Sequence, residues 1–347
     1  MSGGITQLIS LGAQDKFITG NPEVSFFVSN YKRHTNFSQV TDSAVIQGNP
    51  SPGQLSTIRL ERKGDLVNHM YMTCETGGSA IDVNWGNVID HVELYIGGQL
   101  IDRQDFTFSN DLAVDLLAQN LSKSAMGFHY VGGTSKNWFY PLRFFCCENS
   151  KTSLPLVALQ YHDVDLRIYW SSNYDTSNII KFYTNYIYLD NNEREKFSSK
   201  SHKLIIYQVQ KCIASNTTVQ DLYFNHPVKL IASKDDGTTA ATSNTCQIVM
   251  QINGTEIADY KWAQPNFTVV STYYTSPYSV GNNQNFFLYP FCFDTSSPQP
   301  CGTLNFSRLD SARLLSHNSE TFTSDFYAIN FNILTIEDGM GGLLYSD

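Results

Sequence analysis

The stretches His91-Val-Glu-Leu-Tyr-Ile-Gly-Gly98 and Gln247-Ile-Val-Met-Gln-Ile-Asn-Gly254 decide the fold, because they carry one pattern twice. In the first, Val92, Leu94 and Ile96 alternate with His91, Glu93 and Tyr95, the period of two expected of a strand with one buried face. In the second, Ile248, Met250 and Ile252 alternate with Gln247, Val249 and Gln251. The Asn-Gly that follows is the dipeptide that most readily takes the two positive φ angles of a type I′ hairpin turn. Each hairpin is followed by Tyr-Pro-x-x-Phe, at Tyr140-Pro141-Leu142-Arg143-Phe144 and at Tyr289-Pro290-Phe291-Cys292-Phe293. Tyr95 and Gln251 are 156 positions apart and the two tyrosines 149, so hairpin and motif recur in one order at nearly one spacing. That is a duplicated module of domain size, not a short solenoid unit.

With 347 residues the chain is comfortable for two cores of about 150 to 180 residues each. Charged residues are 16% and aromatics 13%, against about 25% charged in ordinary soluble domains. Much of the surface must therefore be neutral, which suits a subunit of an assembly. The net charge of −9 argues against nucleic-acid binding, which needs clustered Lys and Arg. The clusters Lys32-Arg33-His34 and Arg59/Arg62-Lys63 are small and fit a solvated face or a subunit contact better than phosphate. No stretch approaches the apolar length of a membrane span, and the N-terminus lacks a signal-peptide pattern, so synthesis in a cytosol is expected. Seven cysteines without paired C-x-x-C spacing read as buried free thiols rather than a disulfide framework or zinc site. The Asn-x-Ser/Thr sequons at positions 36, 120, 216, 253, 266 and 305 read as turn asparagines.

Residues 1–22 form an arm, in which Ile5, Leu8 and Ile9 fall on one helical face before Gly12 and Gly20-Asn21-Pro22 break it. A helix this short is marginal in water unless something covers its apolar side. A neighbouring protein is the expected cover. Strands follow at 55–60, 66–74, 88–96, 164–170 and 182–189. One helix is expected over 111–126, with Asn110 or Ser109 as cap and Gly127 as stop. Residues 191–197 read as a polar helical linker, and the β pattern restarts at 204–209 and ends in the alternating Tyr327, Ile329, Phe331 and Ile333. The fold is expected to be all-β: two consecutive eight-stranded antiparallel jelly rolls, at 23–197 and 198–347, with a short N-terminal arm and few short helices.

Chemistry is sparse. None of the eight histidines forms the His-x-His of cupin-type metal sites. His91-x-Glu93 could offer two ligands from one strand face, but those positions are also the outward side of a hairpin. His162-Asp163-Val164-Asp165 places a His beside carboxylates, yet strand neighbours point to opposite faces and no nucleophile accompanies them. The tail Gly339-x-Gly-Gly lacks a following helix to present amides to a phosphate and reads as a backbone turn. No enzyme, cofactor or metal is expected.

Over nearly its whole length the sequence resembles the major capsid proteins of nucleocytoplasmic large DNA viruses (chlorovirus, iridovirus and mimivirus types). The likeness rests on ordered pieces: Gly12-Ala-Gln-Asp15, Tyr31-Lys-Arg-His-Thr-Asn-Phe37, Arg62-x-Gly64-Asp65-Leu66-Val67, Ile96-Gly-Gly-Gln-x-Ile-Asp102 and Ala158-Leu-Gln-Tyr-His162. It continues in Tyr188-Leu-Asp190 with Glu193-Arg194, Phe224-Asn-His-Pro-Val-Lys229, Asn305-Phe-Ser-Arg-Leu-Asp310 and Asp338-Gly-Met340. The resemblance implies a structural protein with two jelly rolls per chain, forming homotrimeric capsomers of pseudo-hexagonal outline that tile an icosahedral shell. It implies contacts with neighbouring capsomers and with minor capsid and penton proteins. The arm would lie at the inner side of the shell, toward the layer over an internal membrane, with no direct nucleic acid contact. The protein would reside in the virion and be made in the host cytoplasm. The chain looks shorter than many members, so its outer loops should be small.

The candidate packing or assembly residues are Ile5, Leu8 and Ile9 in the arm; Tyr31, Arg33, His34 and Phe37; Asn225, His226 and Pro227; and the paired Tyr140, Pro141, Phe144 and Tyr289, Pro290, Phe293, expected to anchor equivalent loops. Two other readings stay open. One is a viral scaffold of the same fold that is not retained in the particle. The other is a monomeric carbohydrate-binding or hydrolytic double jelly roll using Trp85, Trp138 or Trp262.

Overall fold

A computed structural model describes residues 3–127, 130–131, 134–234, 239–278 and 286–346. By its internal contacts the chain separates into two units, Met1–Asn36 and Phe37–Asp347. The first holds two short helices, Gly3–Ile9 and Asp15–Thr19, neither of which buries a residue. Asp15 Oδ2 accepts from Gly12 N at 2.7 Å just ahead of the second helix, an element not expected from the sequence.

The second unit contains two jelly rolls. In the first, one sheet runs Phe37–Ala44, Ile179–Leu189, Leu66–Thr76, Leu154–Pro155, with Phe139–Pro141 also on Leu66–Thr76. The opposing sheet runs Leu55–Arg59, Val164–Trp170, Ile89–Ile96, Gln99–Asp105. With Phe139–Pro141 and Leu154–Pro155 counted as one interrupted strand, the orders are first-eighth-third-sixth and second-seventh-fourth-fifth, the jelly-roll arrangement. The second module repeats both. His202–Cys212, Phe326–Glu337, Pro227–Lys234 and the interrupted Phe286–Pro290/Leu304–Asn305 form one sheet. Val219–Asp221, Ala312–Ser316, Gln247–Ile252 and Thr255–Glu256 form the other. Among the described residues every pairing between named strands is antiparallel and stays within 37–189 or within 202–343. Asn191–Ser199 is the helix between them, and Arg194 on it holds Asp65 through two nitrogens at 2.8 and 3.0 Å.

Both hairpin turns are as read. Gly97 and Gly98 have φ of 58° and 83°, Asn253 and Gly254 of 49° and 79°, joining Ile96 to Gln99 and Ile252 to Thr255. A Cβ at Gly97 would run into the His162 ring, so glycine is needed there for space as well as for φ. Between the sheets of the first module pack Met70, Met72 and Phe182 from one side and Leu94, Leu166 and Ile168 from the other, all 0–1% exposed. The second core centres on Phe287, Phe322, Phe326, Ile248 and Leu314.

Two readings need correction. The single helix expected over 111–126 is two short pieces. A helical segment begins after Asp105, whose Oδ1 caps Phe108 N at 2.9 Å, and runs through a wide turn, Phe108–Leu112, into Ala113–Leu116. A second helix, Leu121–Gly127, is restarted by Asn120 Oδ1 accepting from Lys123 N at 2.8 Å. Asn110 and Ser109 lie inside the first segment and cap nothing. The strand Phe37–Ala44, polar and mostly exposed, carries too few apolar residues for its period to show. Strand Ile89–Ile96 is also buried on both faces: His91 stacks on Tyr169 at 4.0 Å and Glu93 accepts from Tyr95 Oη at 3.0 Å.

Candidate assembly interface

The two modules meet along a seam that shows how such modules dock. Its apolar part is the segment that follows Gln99–Asp105. Phe108, Leu112, Ala113 and Leu116, each 0% exposed, lie on the outer face of the second module's larger sheet, against Leu230, Ala232, Phe286, Leu288, Tyr327 and Ile329. Burial of large apolar side chains contributes about 1.5–3 kcal/mol apiece, so this contact alone can hold the modules together.

Beside it lies a polar clasp. Asp102, 3% exposed, accepts from Val209 N at 2.9 Å across the seam and from Gln104 Nε2 at 2.7 Å. Burial pushes its carboxyl up to about 7, against the opposing pull of those bonds. Gln208 Nε2 donates to Ile101 O, and Tyr207 Oη and Gln104 Nε2 both donate to Arg143 O, at 3.0 and 2.9 Å. Asp105 takes Lys211 Nζ at 3.0 Å and Tyr327 Oη at 2.7 Å; burial, with that carboxylate beside it, drives the phenol's pKa upward.

At the far end Tyr161 N donates to Gly339 O at 2.9 Å, Leu343 N donates to Gln99 Oε1 at 3.0 Å, and His162 Nδ1 lies 2.8 Å from Gly341 O. The glycine tail is a turn only at Asp338-Gly339; Met340–Leu343 continues as a strand antiparallel to Phe326–Glu337 and fits against the first module. A small cavity of about 20 Å³ in the seam faces Glu148, Tyr207, Lys229 and Thr295. Lys229 Nζ donates to Thr295 O and Ser297 O at 2.7 and 2.8 Å, and burial lowers its pKa.

The residues with possible chemistry have other occupations. His91 lies between Asp90 at 2.6 Å and Glu93 at 3.8 Å. Asp163 holds Arg59 and Arg62. Among the described residues no group of three or more His, Cys, Asp or Glu is placed to share an ion. Trp85, named for sugar stacking, is 2% exposed and donates from Nε1 to Asn137 O at 3.0 Å, so it is core.

The assembly candidates scatter. Ile5, Leu8 and Ile9 share the helix Gly3–Ile9. Tyr31, Arg33 and His34 lie in the same unit, where His34 Nδ1 is 2.8 Å from Thr35 O. Phe37 begins the first strand, opposite Leu189. Asn225 N donates to Gln210 Oε1 at 2.8 Å, His226 takes φ of 63°, and Pro227 pairs with Asn305. Pro141 and Pro290 take the same place in their modules, opposite Tyr71 and Leu230. The flanking rings differ: Tyr140 and Phe144 are buried, Tyr289 is half-buried, and Phe293 is exposed.

Comparison with known proteins accounts for this architecture. A family profile described as "Major capsid protein N-terminus" matches residues 25–190, and one described as "Large eukaryotic DNA virus major capsid protein" matches 193–342. The chain belongs to this capsid protein family. Relatives named major capsid protein in Pyramimonas orientalis virus and Paramecium bursaria Chlorella virus 1 are each 30% identical, with the whole of both chains aligned. The latter alignment runs over 437 positions where this chain has 347 residues, so that relative is longer. A solved structure titled "PBCV-1 virus capsid, quasi-atomic model" superposes with a TM-score of 0.77 at 25% identity, over 93% of this chain and all of that one. The Faustovirus major capsid protein, at 9% identity and TM-score 0.63, shares the fold.

The protein is thus a structural major capsid protein with a double jelly-roll fold, a component of the viral particle. For such a capsid protein the working surfaces are contacts. Of the residues that make the seam, Lys229 closes the Phe224–Lys229 stretch that the sequence offered for packing, whereas Phe108, Asp102 and Tyr207 were not singled out as contacts. The spacing Phe108, Leu112, Leu116 would have found the helix face had its start been set at the Asp105 cap.

Proposed function

We propose that three copies of this chain close into a capsomer of roughly hexagonal outline, and that these capsomers tile the icosahedral shell of a large DNA virus. The observation that supports this reading is the repetition of one strand order in both halves of the chain. Three subunits of two like modules present six similar edges, which suits sixfold packing by a threefold particle. That the relatives are named capsid proteins supports a role without catalysis. The modules correspond to residues 23–197 and 198–347, with the arm at 1–22 directed to minor capsid proteins or to the layer over an internal membrane. Synthesis and assembly take place in the host cytoplasm.

The test is the native mass of the purified protein with negative-stain imaging of the same sample. Three chains of 39.1 kDa give about 117 kDa, with a hexagonal outline expected. A stable monomer that binds glycans would overturn the reading in favour of a carbohydrate-binding double jelly roll. Lattices on membranes with the protein missing from particles would favour a scaffold.

A further inference from the structure

The seam inside one chain joins two surfaces, and a counterpart of each lies exposed elsewhere on the chain. In the first module the segment after the fifth strand has a wide turn, Phe108–Leu112, then a helix, Ala113–Leu116. In the second module the segment at the same place has the same wide turn, Asn266–Val270, then a helix, Ser271–Thr275. Matching the two turns places Val270 at the position of Leu112 and Tyr274 at that of Leu116. Leu112 and Leu116 are 0% exposed because the second module's sheet covers them. Val270 is 39% exposed and Tyr274 75%, with Val269 and Tyr273 beside them at 39% and 78%.

The receiving surface is duplicated too, and strand register identifies it. Leu230 pairs with Pro290 and Ile329, while Tyr71 pairs with Pro141 and Tyr183. Ala232 pairs with Leu288 and Tyr327, while Thr73 pairs with Phe139 and Lys181. The counterparts of the buried Leu230, Leu288 and Ile329 are therefore Tyr71, Phe139 and Tyr183, all half-exposed. These three form an aromatic platform: Tyr71 stacks on Tyr183 at 5.2 Å and meets Phe139 edge-on at 6.2 Å. Its rim is polar, with Lys181 paired to Glu75 at 2.8 Å.

We propose that segment 266–275 of one copy packs on the Tyr71, Phe139 and Tyr183 platform of a second copy, and that three such contacts close the ring. This names the partner surface for the trimer of the preceding reading and rests on it. The intrachain seam supplies the geometry, since a pseudo-sixfold ring requires the step from second module to next first module to copy the step from first to second. The chemistry agrees. Residues 263–276 carry no charge, and an uncharged face with two tyrosines against stacked aromatics within a charged rim has the composition of an interface core.

The test uses the full chain, the Tyr274→Asp and Val270→Asp variants, and a benzophenone photocrosslinker placed at position 274. Both substituted positions are solvent-exposed in one copy, so an unchanged melting curve for the dissociated chain is expected. Wild type should run as a trimer, and either variant should associate at least about thirtyfold more weakly, as removal of a buried aromatic anchor does. The crosslinks should fall in peptides holding Tyr71, Phe139 or Tyr183 of another copy. If wild type and both variants are trimers, or the crosslinks map elsewhere, this contact is wrong and the trimer reading stands. If wild type is a monomer, both fail.

Discussion

Replacing Asp102 by Asn should make the stability of this protein depend on pH in a different way, and the size of the change follows from its surroundings. The folded carboxyl titrates at about 7 because it is buried, whereas its ordinary value is 3.8. Between those two values the folded chain holds a proton that the unfolded chain has released. Stability from this group is therefore complete below pH 3.8 and falls as pH rises, levelling off above 7. Each pH unit in that window is worth about 1.4 kcal/mol, so from pH 5 to 8 the wild type should lose roughly 3 kcal/mol through this group.

Asn keeps the oxygen that accepts from Val209 N, and its amide turned toward Gln104 Nε2 adds a pH-independent cost of about 1 kcal/mol. Denaturant unfolding of both proteins at one protein concentration, repeated at several pH values, isolates the group, because other titrations cancel in the difference. Asp102→Asn should gain roughly 3 kcal/mol on wild type between pH 5 and 8. Two curves that stay parallel would mean that Asp102 is ionised in the fold throughout and that the seam is not dry at this point.

Leu116→Ala empties a site buried between the modules and should cost about 2–5 kcal/mol in unfolding experiments, whereas Tyr274→Ala in the dissociated chain should cost under about 0.5 kcal/mol. Gly97→Ala meets both a positive φ of 58° and the His162 ring, so a loss beyond about 1 kcal/mol is expected by thermal melting. Removal of residues 1–22 should leave a folded trimer by native mass yet impair shell assembly, and normal particles from the truncated protein would refute the arm's role.

The parts of this fold that were legible in sequence are those where an apolar face meets one core. Val92, Leu94 and Ile96 show their period, and so do Val164, Leu166, Ile168 and Trp170, because each points to the same apolar interior. The hairpin glycines were legible for a different reason, since their φ values exclude most other residues. The seam was not. Leu112 fell in the helix expected over 111–126 and Phe108 outside any element, because the surface that buries them lies more than a hundred residues away in Leu230 and Leu288. Its second half is written in Val270 and Tyr274, which in one chain look like ordinary solvent-facing residues. Paired motifs also misled in part: Tyr140 and Tyr289 begin the same five-residue phrase, yet Phe144 is enclosed and Phe293 is not.

The seam between the jelly rolls is fastened at three places along its length: the apolar helix face, the Asp102 and Gln208 clasp, and the Met340–Leu343 strand under His162. Turning one jelly roll against the other would have to break at least one of these attachments. Each chain therefore behaves as a stiff tile with a set angle between its halves. Where a closed shell must curve, the bending has to be taken up in the grout between tiles.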